Sequence, residues 1–269
     1  MIFGNSYTID MIYNEIDDMI QCRESDDCLF HFTRRYESLI SIMTEKFKPF
    51  FCIEDVSQLY GNQLNLTMAY PMTCFCDIPI ERHANHKKVY GNYGIAMTKE
   101  WGIDNHLSPV NYIHPDCTIS SALKVMNGHV KYLPVNDITQ VFKNCLNILL
   151  MTSKPYEGKV FDKDKRLWSS EVHRFYDEKE WRHLPLVDKS NWHVSLEDLD
   201  GDWNLFYQEI EKEQTKIQQI EYYKLKFTIK DIKHIFLEQE EDKIRFINDL
   251  SSSYSPVELE QIEDLIYPS

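Results

Sequence analysis

The stretch at residues 70–101 constrains the fold of this chain more than any other part of it. Residues 72–78 (Met-Thr-Cys-Phe-Cys-Asp-Ile) are mostly apolar and precede Pro79. Because proline cannot donate to a β-ladder, this run predicts a short strand that stops there. Gly91 and Gly94 bracket a predicted tight turn, since small residues let the backbone approach another strand or a ligand closely.

Two tyrosines, Tyr90 and Tyr93, stand on this turn, immediately before a second predicted strand at residues 95–97. Aromatic rings with polar tips form a flat wall that suits a planar ligand. The alternative interpretation is an ordinary strand-turn-strand unit buried in the core.

Composition excludes several classes of protein. No apolar run of the 269-residue chain approaches the roughly 20 residues that span a bilayer. We therefore expect no membrane partner. The amino terminus shows no basic segment followed by an apolar one, so no secretory signal is expected. Seven cysteines without a disulfide framework fit a reducing compartment, and a cytoplasmic location is expected. A net charge of −14 argues against non-specific binding of nucleic acid over the whole surface and is compatible with a basic protein partner.

The chain shows no repeat and no clear linker, so residues 1–269 are expected to form a single α+β domain. A helix is expected within residues 1–27 and another within residues 251–269, where a capping box begins at Ser255. Between them, Asn136 or Asp137 is expected to cap an apolar helix that ends near Lys154 and Pro155.

Residues 28–33 (Cys-Leu-Phe-His-Phe-Thr) predict a strand that leads into a helix at residues 35–46. His31 and Thr33 are two positions apart and therefore share one face of that strand. Ligands are often bound where strands lead into helices. Residues 48–66 are expected to form a loop.

The second informative region lies at residues 174–184, before Pro185. A strand there places Glu178, Glu180 and Arg182 along one side. Like charges on one face destabilise each other unless a group of opposite charge compensates them, and Arg182 is the local candidate. A helix would spread these groups around its surface.

Together these residues form a candidate site: His31 and Thr33 with Tyr90 or Tyr93 and with Glu180. A histidine can hold a ribose hydroxyl, and an aromatic ring can stack on a nicotinamide. A carboxylate can bind the ribose 2′-hydroxyl and stabilise the positive charge that develops as a glycosidic bond breaks. Such a site needs no metal. The alternative is that His31 is a satisfied buried histidine and Glu180 a solvated strand residue.

Three other chemistries have less support. Cys74, Cys76, His83 and His86 are plausible zinc ligands, but a free cysteine in an apolar strand usually behaves as a small hydrophobe. No local signature supports a catalytic cysteine. The loop at residues 91–94 lacks both the Walker lysine and a dinucleotide fingerprint.

Three segments taken together, at residues 31–33, 71–102 and 175–182, resemble the AbiGi family of bacterial abortive phage-resistance proteins. Residues 231–235 are similar to the closing strand of that family. The resemblance covers about residues 28–250. It implies one half of a two-gene system, with a cognate antitoxin or toxin encoded nearby.

The layout also resembles, more distantly, ADP-ribosyltransferase-like domains of the His-Tyr-Glu type. That resemblance implies split antiparallel or mixed β-sheets flanked by helices, with NAD as the substrate. It implies that His31 matches the ribose-binding histidine of a His-x-Thr strand and that Thr33 matches the threonine of that strand. Phe32 stands where several NAD-using relatives carry glycine.

The same resemblance makes Glu180 the catalytic glutamate and Glu178 the upstream acid of a Glu-x-Glu pair. Tyr90 and Tyr93 both match the aromatic residue that stacks on the nicotinamide. Arg182 is expected to position Glu180. These residues, with His31, Phe32 and Thr33, form the expected NAD site.

Two functions follow as expectations. The first is an anti-phage effector that binds NAD and transfers ADP-ribose to a nucleic acid or protein, or hydrolyses NAD without an acceptor. The second, from a different class, is a non-catalytic antitoxin that neutralises a co-encoded toxin through its acidic surface.

Overall fold

The computed structural model describes residues 27–60, 66–130, 132–134, 136–162, 164–185 and 193–267. The helix expected near the amino terminus falls at residues 1–26 and lies outside the described residues. Within the described residues, no helix combines the length and the apolar character that crossing a membrane requires.

The chain folds into a mixed α+β structure around one large sheet, as the sequence predicted. The described strands are β1 Cys28–Thr33, β2 Phe50–Asp55, β3 Thr67–Cys76, β4 Tyr93–Thr98, β5 Ser108–Pro109, β6 Asn111–Ile113, β7 Ser153–Pro155, β8 Phe161–Asp162, β9 Leu167–Trp168, β10 Glu180–His183, β11 Val194–Ser195 and β12 Ile232–Phe236. Eight of them pair antiparallel in the order β12-β4-β1-β3-β10-β5, with β2 and β11 also paired with β3. The other four form two small pairs, β6 with β7 in parallel and β8 with β9 antiparallel.

Helices pack against this sheet and extend beyond it. The described α-helices are α1 Tyr36–Glu45, α2 His83–Tyr90, α3 Lys99–Asp104, α4 Thr118–Val130, α5 Asp137–Met151, α6 Trp203–Gln218, α7 Asp242–Leu250 and α8 Pro256–Asp264. Two caps follow the sequence: Asn136 accepts a hydrogen bond from the Thr139 N–H at the start of α5, and Ser255 with Glu258 forms the capping box of α8.

The segment predicted as a loop at residues 48–66 instead contains β2 and a 3₁₀ turn at Ser57–Tyr60. Its sequence, Phe-Phe-Cys-Ile-Glu-Asp, shows no strict alternation, which is why a local pattern missed it. The strand forms because six of its residues pair with β3, a partner further along the chain. Long-range pairing therefore decides the structure of this segment.

The central feature of the sheet is a gap beside β3. β10 and β11 lie end to end along one edge of β3. β10 pairs with residues 73–76 of β3, and β11 pairs with residues 68–69. β1 and β2 therefore share the other edge, where β1 pairs with Cys76 and β2 with residues 72–67. Among the described strands, none pairs with residues 73–75 on that edge, so the sheet splits there.

The pleat of the strands assigns side chains to the two faces around the gap. Phe30, Cys76 and Glu180 are aligned across β1, β3 and β10 and project to the same face. His31 follows Phe30 directly in β1, and successive side chains of a strand alternate, so His31 projects to the opposite face of the sheet. That other face carries the largest apolar core, which includes Leu29, Phe75 and α1, α7 and α8.

Candidate functional site

A cavity of about 880 Å³ opens at the gap between β1 and β2. Six of the eight residues expected for the NAD site line it: His31, Phe32, Thr33, Tyr90, Glu178 and Glu180. Tyr93 and Arg182 do not line it. The early histidine and the late glutamates thus border one cavity, although they lie on different faces of the sheet.

Glu178 and Glu180 do not lie on one strand, as the alternation predicted. Glu178 belongs to a turn, and only Glu180 belongs to a strand. Glu178 ends a 3₁₀ turn that begins at Phe175, and Lys179 adopts a left-handed conformation with φ of 47°. Only then does β10 begin, at Glu180. The expectation of one strand carrying Glu178, Glu180 and Arg182 along one side was therefore wrong for Glu178, because Glu178 lies in the 3₁₀ turn and the left-handed Lys179 separates it from β10.

Both carboxylates nevertheless converge on one buried cation. The Nζ atom of Lys154 donates to Glu178 Oε2 and to Glu180 Oε2, each at 2.8 Å. Arg182 donates from Nε to Glu180 Oε1 at 2.8 Å, and its two terminal nitrogens bind Glu54. The result is a buried network of three carboxylates and two cations, in which Arg182 lies behind Glu180 as its expected positioning partner.

Neighbouring charges keep this network ionised against the cost of burial. Burial alone would raise the pKa of both glutamates. Lys154 and His173 instead lower the pKa of Glu178 to about 2, and Arg182 and Lys154 hold the pKa of Glu180 well below its usual range. Burial likewise opposes the charge of Lys154, but the two glutamates hold its pKa well above the usual value.

Aromatic and imidazole groups surround the carboxylates. The Tyr90 hydroxyl donates to Glu178, and the His86 ring lies 4.4 Å from the Tyr90 ring. Burial, followed by the charge of Glu178, raises the pKa of Tyr90 well above its ordinary value. The Glu180 N–H donates to the Tyr112 hydroxyl at 2.7 Å.

The imidazole of His31 lies at the gap itself. Its Nδ1–H donates to the carbonyl of Cys74 at 2.8 Å, and its ring packs against Phe47 and Phe75. Burial outweighs this hydrogen bond and lowers the pKa of His31. The lowered pKa favours the neutral imidazole. Its N–H satisfies the Cys74 carbonyl, which has no backbone partner among the described strands at the gap. Its Nε2 atom makes no hydrogen bond with any described residue.

The structure separates the two tyrosines that the sequence left as alternatives. Tyr90 ends α2 and lines the cavity. Tyr93 begins β4, packs against Tyr36 and donates to Asp242 at 3.2 Å on the α1 and α7 side. Of the two alternatives, only Tyr90 therefore lines the cavity, because the side chain of Tyr93 projects to the core face of β4.

The alternative zinc ligands do not converge. In the part of the chain that the structure describes, no three His, Cys, Asp or Glu side chains form a group that could hold a metal. His83 donates from Nε2 to the Ile78 carbonyl and packs edge-on against Phe30. A hydrogen bond with Cys52 and burial raise the pKa of Cys74, and burial raises that of Cys76, so both thiols stay protonated.

Sequence reasoning missed Lys154, Glu54 and Tyr112. Lys154 was read only as the end of a helix, and Glu54 as part of a loop. One signal pointed towards them: two glutamates two positions apart on one side of a predicted strand need cations, and Arg182 alone balances only one. Nothing local identifies which of the lysines supplies the second charge.

Comparison with known proteins agrees with the resemblance noted in the sequence. The family model for AbiGi, described as an abortive phage resistance protein and antitoxin, matches residues 30–238. An abortive phage resistance protein AbiGi from Lactococcus lactis subsp. cremoris is 26% identical over 207 residues, which is 71% of this chain and 82% of the relative. No solved structure matches this chain significantly.

Proposed function

The chain belongs to the AbiGi family of abortive phage-resistance proteins, and from that premise we propose that it is the antitoxin of an abortive-infection pair, which neutralises a cognate toxin by binding it. The description of the family as an antitoxin implies such a toxin partner. A net charge of −14 favours a basic partner surface, because opposite charges speed and orient association.

The observation that supports this proposal best is that the Glu180 carboxylate is fully ion-paired. Both of its oxygens are held in ion pairs, one by Arg182 and the other by Lys154. The residue is only 6% exposed. A carboxylate held in this way organises the structure around it, and it contributes little free charge to a reaction. The geometry therefore supports an interaction protein better than a transferase.

Expression tests distinguish the two roles. The chain is expressed alone, the product of the adjacent toxin gene is expressed alone, and the two are expressed together, with growth as the readout. We expect the toxin alone to arrest growth and this chain to restore it. The variants His31→Gln and Glu180→Gln, each checked for folding by circular dichroism, are expected to restore growth as the wild type does. Arrest by this chain alone, relieved by its neighbour, would overturn the proposal.

One observation favours a second candidate, NAD binding with ADP-ribose transfer. His31, Tyr90, Glu178 and Glu180 line the same cavity, and its volume of about 880 Å³ lies within the range of roughly 300–1,000 Å³ that small-molecule sites occupy. His31 Nε2 could accept a hydrogen bond from a ribose hydroxyl. Tyr90 could stack on the nicotinamide, and Glu180 could stabilise the ribosyl cation.

In that reaction the bond between the ribose C1′ and the nicotinamide nitrogen breaks, and nicotinamide leaves with the bonding electrons. An oxygen or nitrogen of a nucleic acid or protein then bonds to C1′ and loses a proton. The acidic network must release Glu180 from one of its cations to contact the substrate. Phe32 lines the cavity in the place where NAD-using relatives carry glycine.

Calorimetry with NAD and chromatography of the products test this second candidate. Binding of NAD together with nicotinamide release that Glu180→Gln abolishes would support it. Labelled acceptor distinguishes a transferase from an NAD glycohydrolase, which yields free ADP-ribose. Absence of NAD binding by the folded wild type, alone and with its partner, would overturn it.

A further inference from the structure

One side of α5 is an apolar surface that the described residues leave uncovered. Nine of the twenty exposed large apolar residues among the described parts of the chain lie between Ile119 and Leu149. Six side chains on α5 form one stripe: Ile138, Val141, Phe142, Cys145, Ile148 and Leu149. Ile138 is 82% exposed and Val141 62%.

The spacing of these residues shows that they form one continuous face. Positions 138, 141, 142, 145, 148 and 149 follow the three- and four-residue intervals that place side chains on one side of a helix. A different side of α5, carrying Thr139, Leu146 and Leu150, is buried against the core. The stripe, called here the α5 face, packs against none of the core formed by the described residues.

Charge distinguishes the α5 face from the rest of the molecule. The fifteen residues of α5 contain one acid, Asp137, and one base, Lys143, in a chain of net charge −14. The neighbouring polar side chains include Gln140 and Asn144, whose amides hydrogen-bond to each other at 3.0 Å. Amides both donate and accept, so such a border can pair with a copy of itself.

We propose that the α5 face is the contact between two copies of this chain, with α5 packed antiparallel against α5 of the second copy. Two acidic chains repel each other over most of their surfaces, and a face without net charge is where that repulsion is weakest. Two-fold contacts use the same patch on both subunits and must be self-complementary, as a neutral apolar stripe with an amide border is. Antiparallel pairing also aligns the two helix dipoles favourably.

Cross-linking through Cys145 can test the antiparallel contact directly. Cys145 is exposed and lies near the middle of the stripe. In an antiparallel pair, residues near the middle of each helix lie close to their own counterparts. A short bismaleimide reagent is therefore expected to join two chains through Cys145, and Cys145→Ser is expected to abolish the cross-linked product.

Sedimentation velocity of the full chain over a hundredfold concentration series tests the contact itself. We expect a monomer–dimer equilibrium that Val141→Glu weakens at least tenfold, because a charge would be buried against an apolar surface. The matched control is Ile244→Glu, since Ile244 is 75% exposed on α7, and this variant is expected to leave the dimer unchanged.

The inference does not depend on the antitoxin role, so the two can fail separately. A wild-type chain that stays monomeric throughout the series would overturn it, and so would a dimer that Val141→Glu leaves intact. If the wild type is monomeric and Val141→Glu instead loses binding to the purified toxin, the α5 face belongs to the toxin and the proposal is wrong.

Discussion

The side-chain nitrogen of Lys154 lies 2.8 Å from a carboxylate oxygen of Glu180, which follows 26 residues later in the chain. The same nitrogen lies 2.8 Å from Glu178. One buried lysine on β7 therefore holds together the two acids on either side of the Lys179 turn. Because the acids repel each other, the site depends on this cation.

Removal of that cation is expected to be costly. In Lys154→Met, Glu178 and Glu180 remain buried with too little positive charge beside them. Breaking a buried ion pair by removing one partner typically costs about 3–5 kcal/mol. Urea unfolding of the variant should show this loss. Lys159→Met is the matched control, since Lys159 lines the same cavity but is exposed, and it should change stability little. Equal stability of the two variants would contradict the role assigned to Lys154.

Stability is expected to fall in acid because of the same network. Burial opposes the charge of Glu178, but Lys154 and His173 lower its pKa from 4.5 to about 2. A carboxyl with a lowered pKa stabilises the fold fully above its unfolded pKa, and the contribution disappears as the pH falls through the folded pKa. The free energy of unfolding should therefore decrease between pH 4.5 and pH 2.

Glu178→Gln tests the origin of this acid dependence, since its amide does not titrate. The variant should show a shallower decrease over the same pH range in urea unfolding. Glu157→Gln, at an exposed position next to the cavity wall, should follow the wild type. If the two variants have the same pH profile, Glu178 does not contribute as described.

The imidazole of His31 should stay neutral below the pH at which histidine ordinarily titrates. Burial outweighs the hydrogen bond to the Cys74 carbonyl and lowers the pKa from 6.5. NMR titration of the ring protons, assigned by comparison with His31→Gln, should place its midpoint below pH 6.5. The urea-unfolded protein is the control and should titrate near the ordinary value. A midpoint at or above 6.5 in the folded protein would show that the ring is not buried.

Two glycines are expected to respond to alanine in opposite directions. Gly91 has φ of 114°, and a Cβ atom there would lie 2.2 Å from the Thr33 carbonyl oxygen. Gly91→Ala should therefore destabilise the protein by more than about 1 kcal/mol. Gly128 lies in α4 with no atom within 4 Å of an added Cβ, so Gly128→Ala should stabilise it by about 1 kcal/mol. Thermal unfolding measures both, and a common sign would contradict this account.

Much of the local structure was predictable because it depends on neighbouring residues. The apolar run of β1 and the caps at Asn136 and Ser255 all act within a few positions. The strand predicted at residues 72–78 is instead Thr67–Cys76, so it begins earlier than the apolar run and ends before Pro79. The alternation at residues 180–182 likewise placed Glu180 and Arg182 on one face, as β10 has them. β2 was missed because its pairing with β3, and not its own pattern, makes it a strand.

The sequence by itself singled out residues that border the cavity: an early histidine, a tyrosine before a glycine and a late pair of acids. Only the tertiary structure decided how they meet. It placed His31 in the gap of the sheet, chose Tyr90 over Tyr93 for the cavity, turned the chain at Lys179 and put Lys154 between the acids. These outcomes depend on the order of strands in the sheet, which brings distant residues together, and periodicity within one segment contains no information about that order.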